Sequence, residues 1–142
     1  MVAAASEKPA WAAAVRSRAA NNSAGKKFLR GYQVTDSSGV AKFTTIHPGW
    51  YQGRAVHVHF KIRTFTGSAK TFEFTSQIFF DDTVTDAAFK VAPYSSRGTR
   101  DTRNQNDMVY TSNNNSGAML LAALTPTSAG YAASFAVGLN LT

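Results

Sequence analysis

The sequence predicts an all-β protein: a β-sandwich with long loops and a weakly ordered N-terminal arm. Only 16% of the 142 residues are charged, and Ser, Thr, Asn and Gly replace the missing charges. Short apolar segments recur at about ten-residue spacing with turn residues between them, which is typical of a sandwich. The first residues are instead rich in Ala, Asn and Ser. We therefore predict an irregular arm over residues 1–27 and a sandwich core over residues 28–142.

The first elements are predicted on either side of a polar turn. Within the arm, residues 12–20 are compatible with a short helix. Residues 28–34 are predicted as a strand, and the Asp, Ser and Gly residues that follow predict a turn. Residues 40–46 predict the next strand, with Val40, Lys42 and Thr44 on one face and Ala41, Phe43 and Thr45 on the other.

A hairpin is predicted in the middle of the chain. Residues 55–65 and 71–80 are rich in β-branched and aromatic residues, and Gly67 lies in the short connection between them. The acidic and Thr-rich segment after this hairpin predicts a cap on a short helical turn over residues 87–91. A long polar loop is then expected over residues 93–106. The last strands are predicted at residues 108–111, 118–123 and 131–139.

Composition excludes several functional classes. The formal net charge is +7, but the Lys and Arg residues are scattered and match no nucleic-acid-binding motif, so no nucleic-acid partner is expected. No apolar segment approaches the roughly 18 residues that span a bilayer, so no membrane partner is expected either. The chain has no cysteine, which excludes thiolate metal sites and Cys nucleophiles. No signal peptide is evident, and the compartment stays open between cytoplasmic and exported.

The segment with most chemical information contains Tyr51, Arg54 and the pair His57 and His59. Side chains two apart on a strand share a face, so both imidazoles would project together. Imidazole binds zinc, copper, iron and nickel, and a tyrosine phenolate favours a highly charged ion such as ferric iron. The alternative is a His pair that only donates hydrogen bonds at a polar rim or in the core.

These residues lie in a segment that resembles one protein family. FLRGYQVTDSSGVAKFTTIHPGWYQGRAVHVHFKI is similar to the core of the intradiol ring-cleavage dioxygenases, and the resemblance continues through residues 74–80, 92–94 and 104–107. Members of that family are non-haem iron(III) enzymes. They cleave a catechol between its two hydroxyls with dioxygen and give a muconate-type diacid. The resemblance implies that fold, that cofactor, and a small aromatic diol and dioxygen as partners. Because such enzymes often dimerise, a homodimer is an open expectation.

The resemblance also implies roles for particular residues. Tyr51 matches the axial tyrosine ligand that leaves when catechol binds. His57 and His59 match the equatorial and axial histidine ligands. Arg54 matches the arginine that balances charge on the substrate intermediate, and Gln77 matches a glutamine that lies near the site.

One departure from the family pattern concerns the first tyrosine ligand. Arg16 stands where that tyrosine is expected, and the His and Asp that accompany it are missing. A guanidinium cannot ligate ferric iron. The alternative hypothesis is therefore that the chain is a truncated, inactive relative that binds metal or an aromatic ligand without turnover. A plain β-sandwich binding module is a third, weaker hypothesis. Outside the motif, we expect His47 to be a surface histidine and Asp107 to order the long loop.

Overall fold

The computed structural model describes residues 2–4, 10–14, 29–112 and 116–140 of the chain. In this part of the chain strands predominate and one α-helix is present, which confirms the β-rich prediction. None of the described helices has the length and apolar character needed to cross a membrane. The strands are β1 (Val2–Ala4), β2 (Ala10–Ala14), β3 (Tyr32–Val34), β4 (Val40–Lys42), β5 (His57–Thr66), β6 (Ala69–Phe79), β7 (Ala123–Thr127) and β8 (Gly130–Ser134).

These strands form three small antiparallel sheets. A four-stranded sheet has the order β3-β2-β5-β6, while β1 pairs with β4 and β7 pairs with β8. The hairpin of β5 and β6 is confirmed, and its turn places Gly67 at a φ of 59°, a conformation that favours glycine. The sheets do not close, so the sandwich itself stays a prediction.

The predicted N-terminal arm contributes to the sheets. β2 lies between β3 and β5, so Ala12–Ala14 belong to a strand where a short helix was expected. Alanine has little intrinsic preference for a strand, and the pairing with β5 overrides its helix propensity. The remaining residues of the predicted helix, 15–20, lie outside the described residues. The boundary between arm and core at residue 27 also stays a prediction.

Strand β5 separates the core from the candidate site. Its inner face carries Val58, Phe60 and Ile62, which are at most 6% exposed. The ring of Phe60 lies 5.6 Å from that of Phe135 just after β8, so the C-terminal hairpin covers this face. The alternation along β5 turns the intervening residues, beginning with His57, to the opposite face.

The helix α1 (Asp82–Phe89) begins five residues before the predicted helical turn, because Asp81 caps it. The carboxylate of Asp81 accepts the backbone N–H of Thr83 at 2.7 Å. The polar loop after the helix is held against it by Arg100, whose side chain is only 4% exposed and pairs with Asp82 and Asp86. This ion-pair cluster fixes the end of the loop next to the sheet.

Two of the predicted C-terminal strands are wrong. Residues 108–111 form turns, because the Asp107 carboxylate accepts the N–H groups of Val109 and Tyr110 and so draws the backbone back on itself. Ser116–Leu120 form a 3₁₀ turn in place of the strand expected from residue 118. Here Gly117 donates its N–H to the carbonyl of Tyr110, and a Cβ at Gly117 would lie only 2.2 Å from that oxygen.

His47 is not a surface histidine, because its ring packs among aromatic side chains. The ring centroid lies 5.0 Å from Phe80, 6.1 Å from Phe89 and 6.4 Å from Tyr94, and Nε2 is buried without a hydrogen-bond partner in the part of the chain that the structure describes. Burial lowers the pKa of His47 to about 4, and the positive charge of Arg100 adds to this effect. His47 is therefore neutral in the folded protein at pH 7.

This burial predicts a loss of stability on acidification. Between pH 6.5 and pH 4 the unfolded chain protonates His47 but the folded chain does not, so the stability present above pH 6.5 falls as the pH drops. The full shift corresponds to roughly 3 kcal/mol. In urea unfolding at pH 7.5 and pH 4.5, His47→Phe should lose less stability on acidification than the wild type. Equal losses in the two proteins would contradict a buried neutral His47.

Candidate metal centre

Three side-chain donors converge on the outer face of β5. The Nε2 atom of His57 lies 3.2 Å from the Nε2 atom of His59 and 3.2 Å from the phenolic oxygen of Tyr51. The two histidines come from one strand, two residues apart. Tyr51 comes from the Pro-Gly turn before the strand, where it bridges to Arg54. The three side chains therefore lie close together, as the sequence predicted.

The orientation of His57 leaves a lone pair for a ligand. Its Nδ1 lies 2.7 Å from the carbonyl oxygen of Ala55, and a carbonyl only accepts, so Nδ1 carries the proton. Nε2 then presents its lone pair towards Tyr51 and His59. Burial lowers the pKa of His57 to about 4, and the positive charge of Arg54 contributes to this decrease. The hydrogen bond to the carbonyl of Ala55 acts in the opposite direction but does not outweigh them. Neutral imidazole is the form that binds metal ions.

The spacing of the three donors fits a cation between them. Donors at about 2.0–2.1 Å from one ion, with ligand–metal–ligand angles between about 90° and 109°, lie roughly 2.8–3.4 Å from one another. The two measured distances of 3.2 Å fall in that range. Among the described residues no three His, Cys, Asp or Glu side chains form such a group, so this donor set depends on the tyrosine. A nitrogen, nitrogen and phenolate set suits a highly charged ion.

A buried ion pair lies beside the three donors. Arg54 donates from Nε to Asp107 at 2.8 Å and from Nη2 to the side-chain oxygen of Gln77 at 2.6 Å. Gln77 lies opposite His59 in the β5–β6 register, so the sheet places it at the site. The remaining nitrogen of Arg54, Nη1, has no hydrogen-bond partner among the described residues. The guanidinium is thus held on one side and retains a donor for a ligand.

Asp107 has the most enclosed carboxylate near the site, with an exposed fraction of 0%. It also accepts the backbone N–H groups of Ala55 at 2.8 Å, Val109 at 2.8 Å and Tyr110 at 3.1 Å. Burial alone would raise the pKa of Asp107, but the hydrogen bonds from Arg54 and these amides outweigh it and hold the pKa below its ordinary value. Asp107 is therefore a carboxylate at neutral pH.

The five residues that the sequence predicted for the site lie close together, whereas the contact of Asp107 with Arg54 was not predicted. Tyr51, Arg54, His57, His59 and Gln77 all come together as expected. Asp107 was expected only to order its loop, which it does through Val109 and Tyr110, yet it also holds Arg54. Its place at the end of the motif-like residues 104–107 was the available signal. The expected tyrosine position, residue 16, lies outside the described residues; β2 ends at Ala14, opposite Phe60.

Solved structures with a similar fold are dioxygenases. An intradiol ring-cleavage dioxygenase from Tetranychus urticae superposes with a TM-score of 0.79 and 22% identity over 99% of this chain and 79% of that one. A second dioxygenase gives 0.75 and 22% over 97% and 76%. The dioxygenase domain of a carbohydrate-binding fusion protein from the cellulolytic bacterium Streptomyces sp. SirexAA-E gives 0.67 and 18% over 99% and 78%. No family model and no curated protein matches the sequence. The chain therefore has the fold of the intradiol dioxygenases.

The converging donors predict one metal site that depends on His59. Loaded with ferric iron and freed of excess by gel filtration, the wild-type chain should retain about one iron per chain. His59→Ala should bind iron more than about 100-fold more weakly. Loss of a residue that only hydrogen-bonds to a metal ligand already lowers affinity by about 10–100-fold, and loss of a direct ligand should lower it further. Lys61→Ala is the matched control, since Lys61 is the next residue on the same face and pairs with Glu73 instead. Equal iron content in His59→Ala and the control would refute the site.

Proposed function

We propose that this chain is an iron(III)-dependent intradiol dioxygenase that cleaves a catechol-type aromatic ring with dioxygen to a muconate-type diacid. The observation that carries the proposal is the convergence of three donors near Arg54, with Nε2 of His57 at 3.2 Å from both the phenolic oxygen of Tyr51 and Nε2 of His59. The fold shared with intradiol dioxygenases supports it.

Tyr51, His57 and His59 would hold the iron. Ferric iron, when bound, supplies the Lewis acidity that binds a catechol through both oxygens and makes its ring reactive towards dioxygen. The chain contributes the geometry around it. His57 is fixed by its Nδ1 contact to Ala55, which sets the direction of its Nε2 lone pair. Tyr51 could accept the proton of one catechol hydroxyl at its phenolic oxygen, and the proton of the second hydroxyl would pass to solvent, so that the diol ionises as it binds.

Arg54 and Gln77 would act on the substrate side. The free Nη1 of Arg54 can donate a hydrogen bond to an oxygen that gains negative charge as the ring reacts. Gln77 holds Nη2 at 2.6 Å and so prevents the guanidinium from rotating. A hydrogen bond from a fixed charged donor stabilises such an oxygen more than one from a mobile side chain, since no reorganisation is needed.

Tyr51 is the tyrosine whose phenolic oxygen lies against the histidine pair, 3.2 Å from Nε2 of His57. The sequence contains five tyrosines, and burial raises the pKa of both Tyr94 and Tyr110. The hydroxyl of Tyr94 also donates to the carbonyl of His47 at 2.7 Å, away from the three donors. A single phenolate ligand is therefore proposed for this chain.

An inactive relative is the second candidate, and the sequence favours it at one position. Arg16 occupies the place where the resemblance expects another tyrosine ligand. Without that phenolate the iron would keep a higher positive charge and a weaker hold in the protein. Such a chain would still fold and bind iron or an aromatic diol, but it would not open the ring.

The architecture proposed with this function is a β-sandwich core over residues 28–142. The four-stranded sheet and the β7–β8 hairpin lie on two sides of a common apolar core, which supports it. The outer face of β5 would then border the substrate pocket, with no nucleic acid or membrane as partner.

Oxygen uptake separates the two candidate functions. We expect the iron-loaded chain to consume one dioxygen per molecule of catechol, hydroxyquinol or protocatechuate, and to release a muconate-type diacid detectable by mass spectrometry. Both oxygen atoms should appear in the product when labelled dioxygen is used. Folded protein with bound iron that consumes no oxygen would establish the inactive relative.

The colour of the iron-loaded chain tests the phenolate. A visible tyrosinate-to-iron charge-transfer band is expected, and Tyr51→Phe should lose most of it, because no second phenolate is proposed. Tyr131→Phe is the matched control, since Tyr131 is 51% exposed on β8, outside the donor cluster. A band of unchanged intensity in Tyr51→Phe would show that another residue supplies the colour and would overturn the assignment of Tyr51.

A further inference from the structure

We propose that Asp107 is a positioning residue that orients both Arg54 and His57 through one buried carboxylate. The inference rests on the proposed function for its effect on turnover, but its structural part concerns the chain alone. The hydrogen bonds of the Asp107 carboxylate go to Arg54 and to the amides of Ala55, Val109 and Tyr110. It acts through two hydrogen-bonded routes that start at the same oxygen, Oδ2.

The first route runs directly to Arg54. Oδ2 of Asp107 accepts Nε of Arg54 at 2.8 Å, and Oδ1 accepts Nη2 at 3.4 Å. Together with Gln77 on Nη2, these contacts fix the plane of the guanidinium. Only Nη1 is then available for a ligand among the described residues. Asp107 thus determines which edge of Arg54 a substrate meets.

The second route runs through one peptide to the histidine. The same Oδ2 accepts the N–H of Ala55 at 2.8 Å, and the carbonyl of Ala55 accepts Nδ1–H of His57 at 2.7 Å. Ala55 is 1% exposed, so water does not replace either bond. The position of this residue, set by Asp107, therefore sets the tautomer and direction of the imidazole.

The chemistry of the site requires a carboxylate at this position. The five groups around the Asp107 side chain are all donors: two nitrogens of Arg54 and the amides of Ala55, Val109 and Tyr110. An asparagine at this position has the same shape as the aspartate, but its NH₂ group would face hydrogen-bond donors on one side and could not accept their hydrogen bonds. The loop that delivers the residue is itself fixed, since the side chain of Asn104 donates to the carbonyl of Phe80 at 2.8 Å.

Nitrogen-15 spectra of the metal-free full chain test the orientation directly. In the wild type we expect a protected Nε–H signal from Arg54, assigned by its loss in Arg54→Met, and an Nδ1–H tautomer of His57, assigned by its loss in His57→Asn. In Asp107→Asn the Arg54 signal should exchange at least about tenfold faster, and His57 should shift towards the Nε2–H tautomer. Unchanged signals in folded Asp107→Asn would overturn the proposal.

The matched control is Asp101→Asn, on the same loop. Asp101 accepts the N–H of Gly53 at 3.1 Å, next to Arg54 in sequence, but contacts neither Arg54 nor Ala55. Its substitution weakens a comparable contact between the loop and this segment, because an asparagine has no charge and keeps one of the two acceptor oxygens. Asp101→Asn should therefore keep the wild-type Arg54 and His57 signals. Equal changes in both variants would mean that any loosening of the loop disturbs the site, which would overturn a specific role for Asp107.

Kinetics test the consequence for turnover. If the wild type cleaves catechol, Asp107→Asn should lower kcat about 100-fold, as expected for a misplacement of about 1 Å, with KM changed less than about threefold. In an Arg54→Met background the same substitution should lower kcat by a clearly smaller factor, because part of its effect on kcat depends on Arg54. Equal fold-losses in both backgrounds would overturn the route through Arg54. A wild type without turnover would refute the proposed function, while the spectra would still decide the role of Asp107.

Arg54→Lys provides the test if Asp107→Asn does not fold. A lysine keeps the charge but cannot make the Nε and Nη2 contacts together. If orientation by Asp107 matters, Arg54→Lys should lose about as much kcat as Arg54→Met. Retention of more than about a third of the wild-type kcat would show that charge alone suffices and would overturn the proposal.

Discussion

The site depends on one interaction, the burial of the Asp107 carboxylate among five hydrogen-bond donors. A carboxylate with no solvent exposure is tolerated only when its charge is paired and its oxygens are bonded, and both conditions hold here. The donors come from Arg54 and Ala55 before β5 and from the turn that follows Asp107 itself. The carboxylate thus joins two segments that are far apart in sequence. Removing it would leave the half-buried guanidinium of Arg54 without its counter-ion.

The two faces of β5 connect this interaction to the core. Val58, Phe60 and Ile62 anchor one face in the apolar interior, so the residues between them must lie on the other. A register slip by one residue would bury His59 and expose Phe60, which the loss of apolar burial opposes. The apolar core therefore holds the two histidines on the same face. The pairing with β6 then places Gln77 directly opposite His59.

The elements that the sequence predicted well are those with local signals. The β5–β6 hairpin follows from alternation and a glycine turn, and the three donors follow from spacing within nine residues. The errors come from contacts with distant residues. Residues 108–111 look like a strand, but the side chain of Asp107 captures their amides. Ala12–Ala14 look helical, but β5 supplies a partner for their backbone. The place of Asp107 at the end of the motif-like residues 104–107 marked it as a residue of interest, but it did not indicate the pairing with Arg54.

Arg54 does not act as a simple positive charge beside the proposed metal site. Its positive charge is matched by the negative charge of Asp107 at 2.8 Å, so the pair adds little net charge to the site. What it adds is direction, because the ion pair and Gln77 together use Nε and Nη2 and leave Nη1. A hydrogen-bond donor of fixed direction stabilises negative charge at one point in space. In a bound diol it would therefore favour the one oxygen that gains charge during the reaction over the other oxygens. Selectivity for that oxygen would then come from the position of Arg54 more than from its charge.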